Sequence, residues 1–260
     1  MSTQTTSRLP AFRRGLQHVT WGDGVVLLGC LVWVIALFLA LVQRGPSLPD
    51  FTELDAGERK AAFFEYLSPM IAKVNEQALA DRRIVQQLIA TRATGAELPW
   101  RERQRVEALA RKYEVETEGQ SIDQILSTLN QRAGVIPESL MLIQAAKESG
   151  WGTSRFAIEG NNLFGQRCYE SSCGIAPRGR KSPRFGLARF KSVLDSIESY
   201  ALNLNTHPKY ERFREMRHAL LRQNEPLNGL DLAQGLLRYS ERGQAYVEEI
   251  RSMIRQNDLE

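Results

Sequence analysis

The sequence predicts a mainly α-helical chain with one small β-like lobe, set behind a membrane-spanning helix and a helical stem. Three observations carry that expectation. One stretch near the N-terminus is apolar without interruption. Most of the remaining chain repeats its apolar residues at helical spacing. A single window, residues 164–190, gives up that spacing for glycine, proline and cysteine.

The apolar stretch runs from Val25 to Val42 and reads "VVLLGCLVWVIALFLALV". Its roughly 18 residues approach the lower limit for a helix that crosses a bilayer. A cleavable signal peptide has a shorter apolar region and a small-x-small exit, which "ALVQRG" does not offer. A core helix of a soluble protein is rarely apolar on every face. The segment therefore reads as an uncleaved signal anchor. Arg8, Arg13 and Arg14 precede it with only Asp23 against them, whereas Asp50, Glu53, Asp55 and Glu58 follow it. Basic flanks stay inside, so the N-terminus is expected in the cytoplasm and everything after residue 44 beyond the inner membrane. The expected organisation is a tail over 1–21, an anchor over 22–43, a periplasmic linker and helical stem over 44–132, and a final domain over 133–260.

Composition excludes little beyond nucleic acid. The 260 residues are 43% hydrophobic and 25% charged, and the net charge of +4 is mild. No concentrated basic stripe calls for DNA or RNA. Cys30 lies in the span as a small apolar filler, while Cys168 and Cys173 would face an oxidising compartment and can close a short disulfide loop around "YESS". A zinc site is the alternative, but His207 and His218, the histidines beyond the span, lack metal-type spacing to these cysteines. No metal or cofactor is expected.

Along the outer chain, Pro46 and Pro49 mark a linker. From Asp55 to Ala93, Phe63, Phe64, Leu67, Ile71, Val74, Leu79, Ile84, Val85 and Leu88 recur at helical spacing, with Pro69 a kink or break. A helix from Pro99 to Tyr113 follows, with proline acceptable at a first turn. In "SIDQILSTLNQRAG", Ser121 and Gln124 form a capping-box pattern and Gly134 a stop. Pro137 opens a helix with little polar surface that ends near Gly150 and is expected at the centre of its domain. "RFGLARF" alternates as a strand would, and helices are expected again over Ser192–Thr206, Lys209–Arg222, Asn228–Arg238 and Ala245–Arg255.

The chemistry concentrates in "IQAAKESGWGTSRFAIEGNNLFG", residues 143–165. Glu148 closes an otherwise apolar helix. A helix C-terminus carries partial negative charge, and apolar neighbours such as Trp151 and Phe164 disfavour an ion, so both effects raise the pKa of a carboxyl group there. A carboxylic acid that stays protonated near neutral pH can donate to the leaving oxygen of a glycosidic bond.

"ESGWGTSRFAIEGNNLFG" closely resembles the active-site motif of the bacterial glucosaminidases, the endo-β-N-acetylglucosaminidase-like enzymes of glycoside hydrolase family 73. The resemblance continues into "FKSVLDSIESYALNLNTHPKY". With "CYESSCGIAPR" and "NLNTHPKY" it is similar to the Bax subgroup, over roughly residues 133–255. It implies a lysozyme-like α+β fold, with a cleft between a helical lobe and a small β-hairpin lobe. It implies a peptidoglycan hydrolase acting on the β-1,4 bonds of glycan strands. Glu148 matches the catalytic acid and Tyr210 a tyrosine turned toward the site. Asn161, Asn162 and Phe164 match the stretch lining the sugar cleft, and Trp151 is grouped with them as a sugar contact.

The departure concerns a second carboxylate. Many family members carry one in the β-lobe thirty to forty positions later, where this chain has "RGRKSPRFGLARFK" without an acid. Three readings stay open: Glu170 serves as base, the substrate's N-acetyl group serves as nucleophile, or cleavage is weak or absent. A lytic transglycosylase and a non-catalytic peptidoglycan-binding module are the competing functions. The basic window itself, Arg178, Arg180, Lys181, Arg184, Arg189 and Lys191, is either a solvated loop or an attraction for the carboxylates of peptide stems.

Overall fold

The computed structural model describes residues 48–168, 174–176 and 186–260, together with Trp33. The expected span, apart from Trp33, lies outside these residues, as do Glu170, Cys173 and the Arg178–Arg184 part of the basic window. Among the described residues no helix is long and apolar enough to cross a membrane.

The first long helix, α1 (Ala56–Ala93), is capped by Asp55, whose side chain accepts from the N–H groups of Gly57 and Glu58. It continues through Pro69, where the sequence predicted a kink or a break, without a break. Pro69 sits on the exposed face, where water can replace the lost backbone bond. Leu67 and Ile71 on either side are fully buried and lock both halves of the helix into one core. The expected stem is therefore a wall of the fold. Phe63, Leu67, Ile71 and Val74 of α1 share an apolar cluster with the helices that follow, and residues Gly45–Glu260 form one compact unit. Each such side chain contributes about 1.5–3 kcal/mol by leaving water.

The second half of α1 packs with α2 (Trp100–Lys112) and α3 (Ile122–Arg132) around Val85, Leu88, Leu109, Leu126 and Leu129. Ser121 and Gln124 make the predicted capping box at the start of α3. Asp81, buried in α1, takes bonds from Lys112 and from the Tyr113 hydroxyl, the latter at 2.9 Å.

The central helix, α4 (Glu138–Ser149), is buried along almost its whole length, from Leu140 to Ala146. It contacts α1 on one side and α9 (Gln244–Gln256) on another. After it come α5 (Arg155–Gly160) and the β-lobe. In that lobe β1 (Arg167–Cys168) pairs antiparallel with β2 (Gly186–Leu187), Arg167 opposite Leu187 and Cys168 opposite Gly186. Of the strand expected over "RFGLARF", Gly186–Leu187 is strand and residues 188–190 are not, while residues 184 and 185 lie outside the described ones. Cys168 is disulfide-bonded. The chain closes with α6 (Val193–Thr206), a 3-10 turn (Pro208–Tyr210), α7 (Glu211–Arg222), α8 (Gly229–Leu232), a second 3-10 turn (Ala233–Leu236) and α9. A mainly helical chain with a small two-stranded sheet is thus what the residues build.

Candidate active site

The tight end of α4 fixes Glu148. Gly150, Trp151 and Gly152 all take positive φ, at 60°, 58° and 79°. The Trp151 N–H reaches back to the Ala146 carbonyl at 2.8 Å, and the Ser149 hydroxyl accepts from the Gly152 N–H at 2.8 Å. A tryptophan in the left-handed region is strained, and packing holds it there. Its ring lies against Phe63 and Phe64 of α1, with centroids 6.0 and 5.4 Å away, and Lys60 stands 5.3 Å from its centroid. A Cβ on Gly152 would come within 2.7 Å of the Phe51 ring. The "ESGWG" turn is therefore clamped by the segment before it.

Trp151, expected as a sugar contact, is not among the residues lining this cleft; its ring packs on α1. Asn161 and Asn162 also lie outside the lining, with amides bonded to the β-lobe segment. Asn161 ends α5 with φ 50° and donates to the Phe190 carbonyl at 3.1 Å. Asn162 donates to the Gln166 and Ala188 carbonyls, at 2.8 and 2.9 Å, and accepts from the Gln166 N–H. They hang the lobe on the helical body.

Glu148, Phe164 and Tyr210 do line one cleft of about 1090 Å³, between α6, the β-lobe and the loop before α9. Gly165, Gln166 and Tyr239 line it with them, as do two carboxylates the sequence did not flag, Glu114 and Glu241. The floor is aromatic. Phe164 stacks on Tyr200 at 4.0 Å, Tyr239 stacks on Tyr246 at 5.5 Å, and the Tyr239 hydroxyl donates to the Phe164 carbonyl at 3.0 Å. Burial pushes the Tyr210 hydroxyl up to about 12 and raises those of Tyr200, Tyr239 and Tyr246 as well, so all four stay protonated.

Glu148 is half-buried in this pocket, and burial raises its pKa. The Tyr246 hydroxyl donates to its Oε1 at 3.0 Å and pulls weakly the other way, as does the charge of Lys147. Lys147 is itself ion-paired with Glu249, which also binds Arg242. Behind the acid, Gln144 donates to the Tyr246 hydroxyl at 3.0 Å and accepts from the Tyr200 hydroxyl. Sequence reasoning missed Tyr246 and Gln144. The available signal was Gln144 itself, one turn before Glu148 in an otherwise apolar helix. Among the described residues no cluster of histidine, cysteine or acidic side chains could hold a metal ion.

Residues 123–259 match the family described as mannosyl-glycoprotein endo-beta-N-acetylglucosaminidase. Over 215 residues the chain is 35% identical to protein bax of Escherichia coli (strain K12), covering 82% of this chain and 76% of that protein. Among solved structures, the catalytic domain of the autolysin Auto from Listeria monocytogenes aligns at 18% identity with a TM-score of 0.36, covering 67% of this chain and 94% of that chain.

Proposed function

Because the chain belongs to the mannosyl-glycoprotein endo-beta-N-acetylglucosaminidase family, and so carries a glycoside hydrolase domain, we propose that it cuts the β-1,4 bonds of peptidoglycan glycan strands with Glu148 as general acid. One observation carries this reading. A half-buried carboxyl group of raised pKa sits in the cleft with Oε1 bonded by a buried tyrosine, and no described residue bonds Oε2.

The chemistry follows from that placement. Glu148 gives its proton to the leaving oxygen as the bond from the anomeric carbon breaks. The substrate's own N-acetyl oxygen closes on the anomeric carbon, water then opens that ring, and the proton released returns to Glu148. Tyr210, protonated and facing the cleft, is placed to hydrogen-bond a sugar oxygen. Phe164 offers an apolar edge. Lys209 and Arg238 in the same cleft suit carboxylates on peptide stems. Glu114 and Glu241 share the cleft and are alternatives to Glu170 for activating water.

The fold belonging to this reading is lysozyme-like, with the cleft between helical body and β-lobe. Its location is the inner membrane, anchored through residues 25–42 with the N-terminus cytoplasmic and the domain periplasmic, where Cys168 pairs with Cys173. Reporter fusions on either side of residues 25–42 test that topology.

The activity is tested by muropeptide release from purified sacculi. Wild type should release fragments, and Glu148→Gln should lose about 10²-fold or more. Equal release by both would reject Glu148 as the acid, and an anhydromuramyl end would replace hydrolysis with transglycosylation.

A further inference from the structure

The buried chain behind Glu148 has a direction. Tyr200, fully buried in α6, donates to Gln144 Oε1; Gln144 Nε2 donates to the Tyr246 hydroxyl at 3.0 Å; and that hydroxyl donates to Glu148 Oε1 at 3.0 Å. A tyrosine hydroxyl has one proton to give. With Gln144 donating into it, Tyr246 must give that proton to Glu148. If the Gln144 amide were reversed, Oε1 would take the Tyr246 proton, and Glu148 could meet Tyr246 only by spending its own proton on Oε1. Glu148 Oε2 lies on the other side, 3.8 Å from where a Cβ on the cleft-lining Gly165 would stand, and no described residue bonds it.

Resting on the reading of Glu148 as the acid, we propose that Gln144 is a positioning residue: anchored by Tyr200, it commits the Tyr246 proton to Oε1 and so leaves the transferable proton on Oε2, facing the cleft. The same relay serves the step after transfer, because the carboxylate that remains is already hydrogen-bonded by Tyr246. Each bond in such a chain polarises the next, so the amide acts on Glu148 without touching it. The other ionisable groups around the acid are Lys147 and Glu249 on the two helices and Glu114 and Glu241 in the cleft, while burial keeps the hydroxyls of Tyr200, Tyr210 and Tyr239 protonated.

The test uses the full-length chain in wild-type, Tyr246→Phe, Gln144→Met and Gln144→Glu forms, each checked for cooperative thermal unfolding. The Glu148 carboxyl carbon is titrated by carbon-13 NMR, and kcat and KM on peptidoglycan are followed against pH. Tyr246→Phe should move the Glu148 midpoint upward, and Gln144→Met should move it the same way by less. Gln144→Met should lose about tenfold or more in kcat with KM little changed. Gln144→Glu restores kcat at acid pH, where a protonated carboxyl accepts from Tyr200 and donates to Tyr246 as the amide does. A Gln144→Met midpoint and kcat both equal to wild type would overturn the proposal. If no form cleaves peptidoglycan, the hydrolase reading fails by itself, and the NMR midpoints still decide the relay: moved supports it, unmoved overturns it.

Discussion

Arg217 and Glu148, two ionisable side chains drawn away from water, are treated in opposite ways. Arg217 of α7 is 1% exposed, with five bonds. Its Nη1 donates to the Gly134 and Val135 carbonyls and to Asn205 Oδ1, and its Nη2 to the Gln131 and Arg132 carbonyls. It thereby satisfies carbonyls at the C-terminus of α3 that the helix leaves unpaired. Burial and the neighbouring Arg82 and Arg214 pull its pKa down, yet its donors are nearly saturated. Glu148 receives one hydroxyl and keeps an oxygen open. A charge that holds a fold together is given nearly every partner it can use. One that must exchange a proton is left short of them, and its cost is carried by the packing around it.

The largest effect should come from breaking the saturated side. Arg217→Ala strips five bonds from buried acceptors and is expected to cost about 3–5 kcal/mol, read as a fall in the urea midpoint at constant slope. Arg217→Lys keeps the charge but cannot fork between α3 and Asn205, and should cost roughly half as much. If Arg217→Ala unfolds at the wild-type midpoint, the seam is not what joins α7 to α3. A smaller effect lies beside the acid. Gly152→Ala sets a Cβ 2.7 Å from the Phe51 ring at φ 79°, for a loss of about 2 kcal/mol. Cleavage should fall further than the remaining folded fraction explains, because the "ESGWG" turn sets where Glu148 stands.

The same two regions show what a sequence discloses. The ends of helices were legible: Ser121 with Gln124, Gly150 past α4 and Pro137 before it act locally, through caps and dihedrals. Glu148 was legible because a lone acid in an apolar helix is conspicuous. The partners of both charges were not. Arg217 lies 83 residues from the Gly134 carbonyl it binds, and Tyr246 lies 98 residues from Glu148. Gly134 read as a stop signal; it also makes room, since a Cβ there would meet the Arg217 guanidinium at 2.7 Å. Trp151, Asn161 and Asn162 were read as sugar contacts because aromatics and amides serve both tasks. What the sequence could not show is their long-range packing, Trp151 on α1 and the two amides on the β-lobe segment. Pro69 was read as a kink or a break, and a break does not follow because its effect depends on which face it occupies, which is fixed by the core on the other side.

The smallest effect sharpens the contrast by removing the under-partnered charge. The pKa of Glu148 is raised above 4.5 in the folded chain, with burial the leading cause. Between the unfolded and folded values the folded state therefore binds more protons than the unfolded one, and stability falls as pH rises through that window. Above it the folded chain carries a carboxylate that burial disfavours; below it the carboxyl group is neutral and costs nothing in charge. Glu148→Gln keeps the shape and still accepts from Tyr246, but has no charge to bury. The variant should therefore melt close to wild type near pH 4 and above it at pH 8, by an effect of order 1 kcal/mol, or about 2–4 °C in Tm. Scanning calorimetry at the two pH values reads the difference. An equal gap at both would mean that Glu148 is stabilised as fully as Arg217, and the distinction between the two sites would be lost.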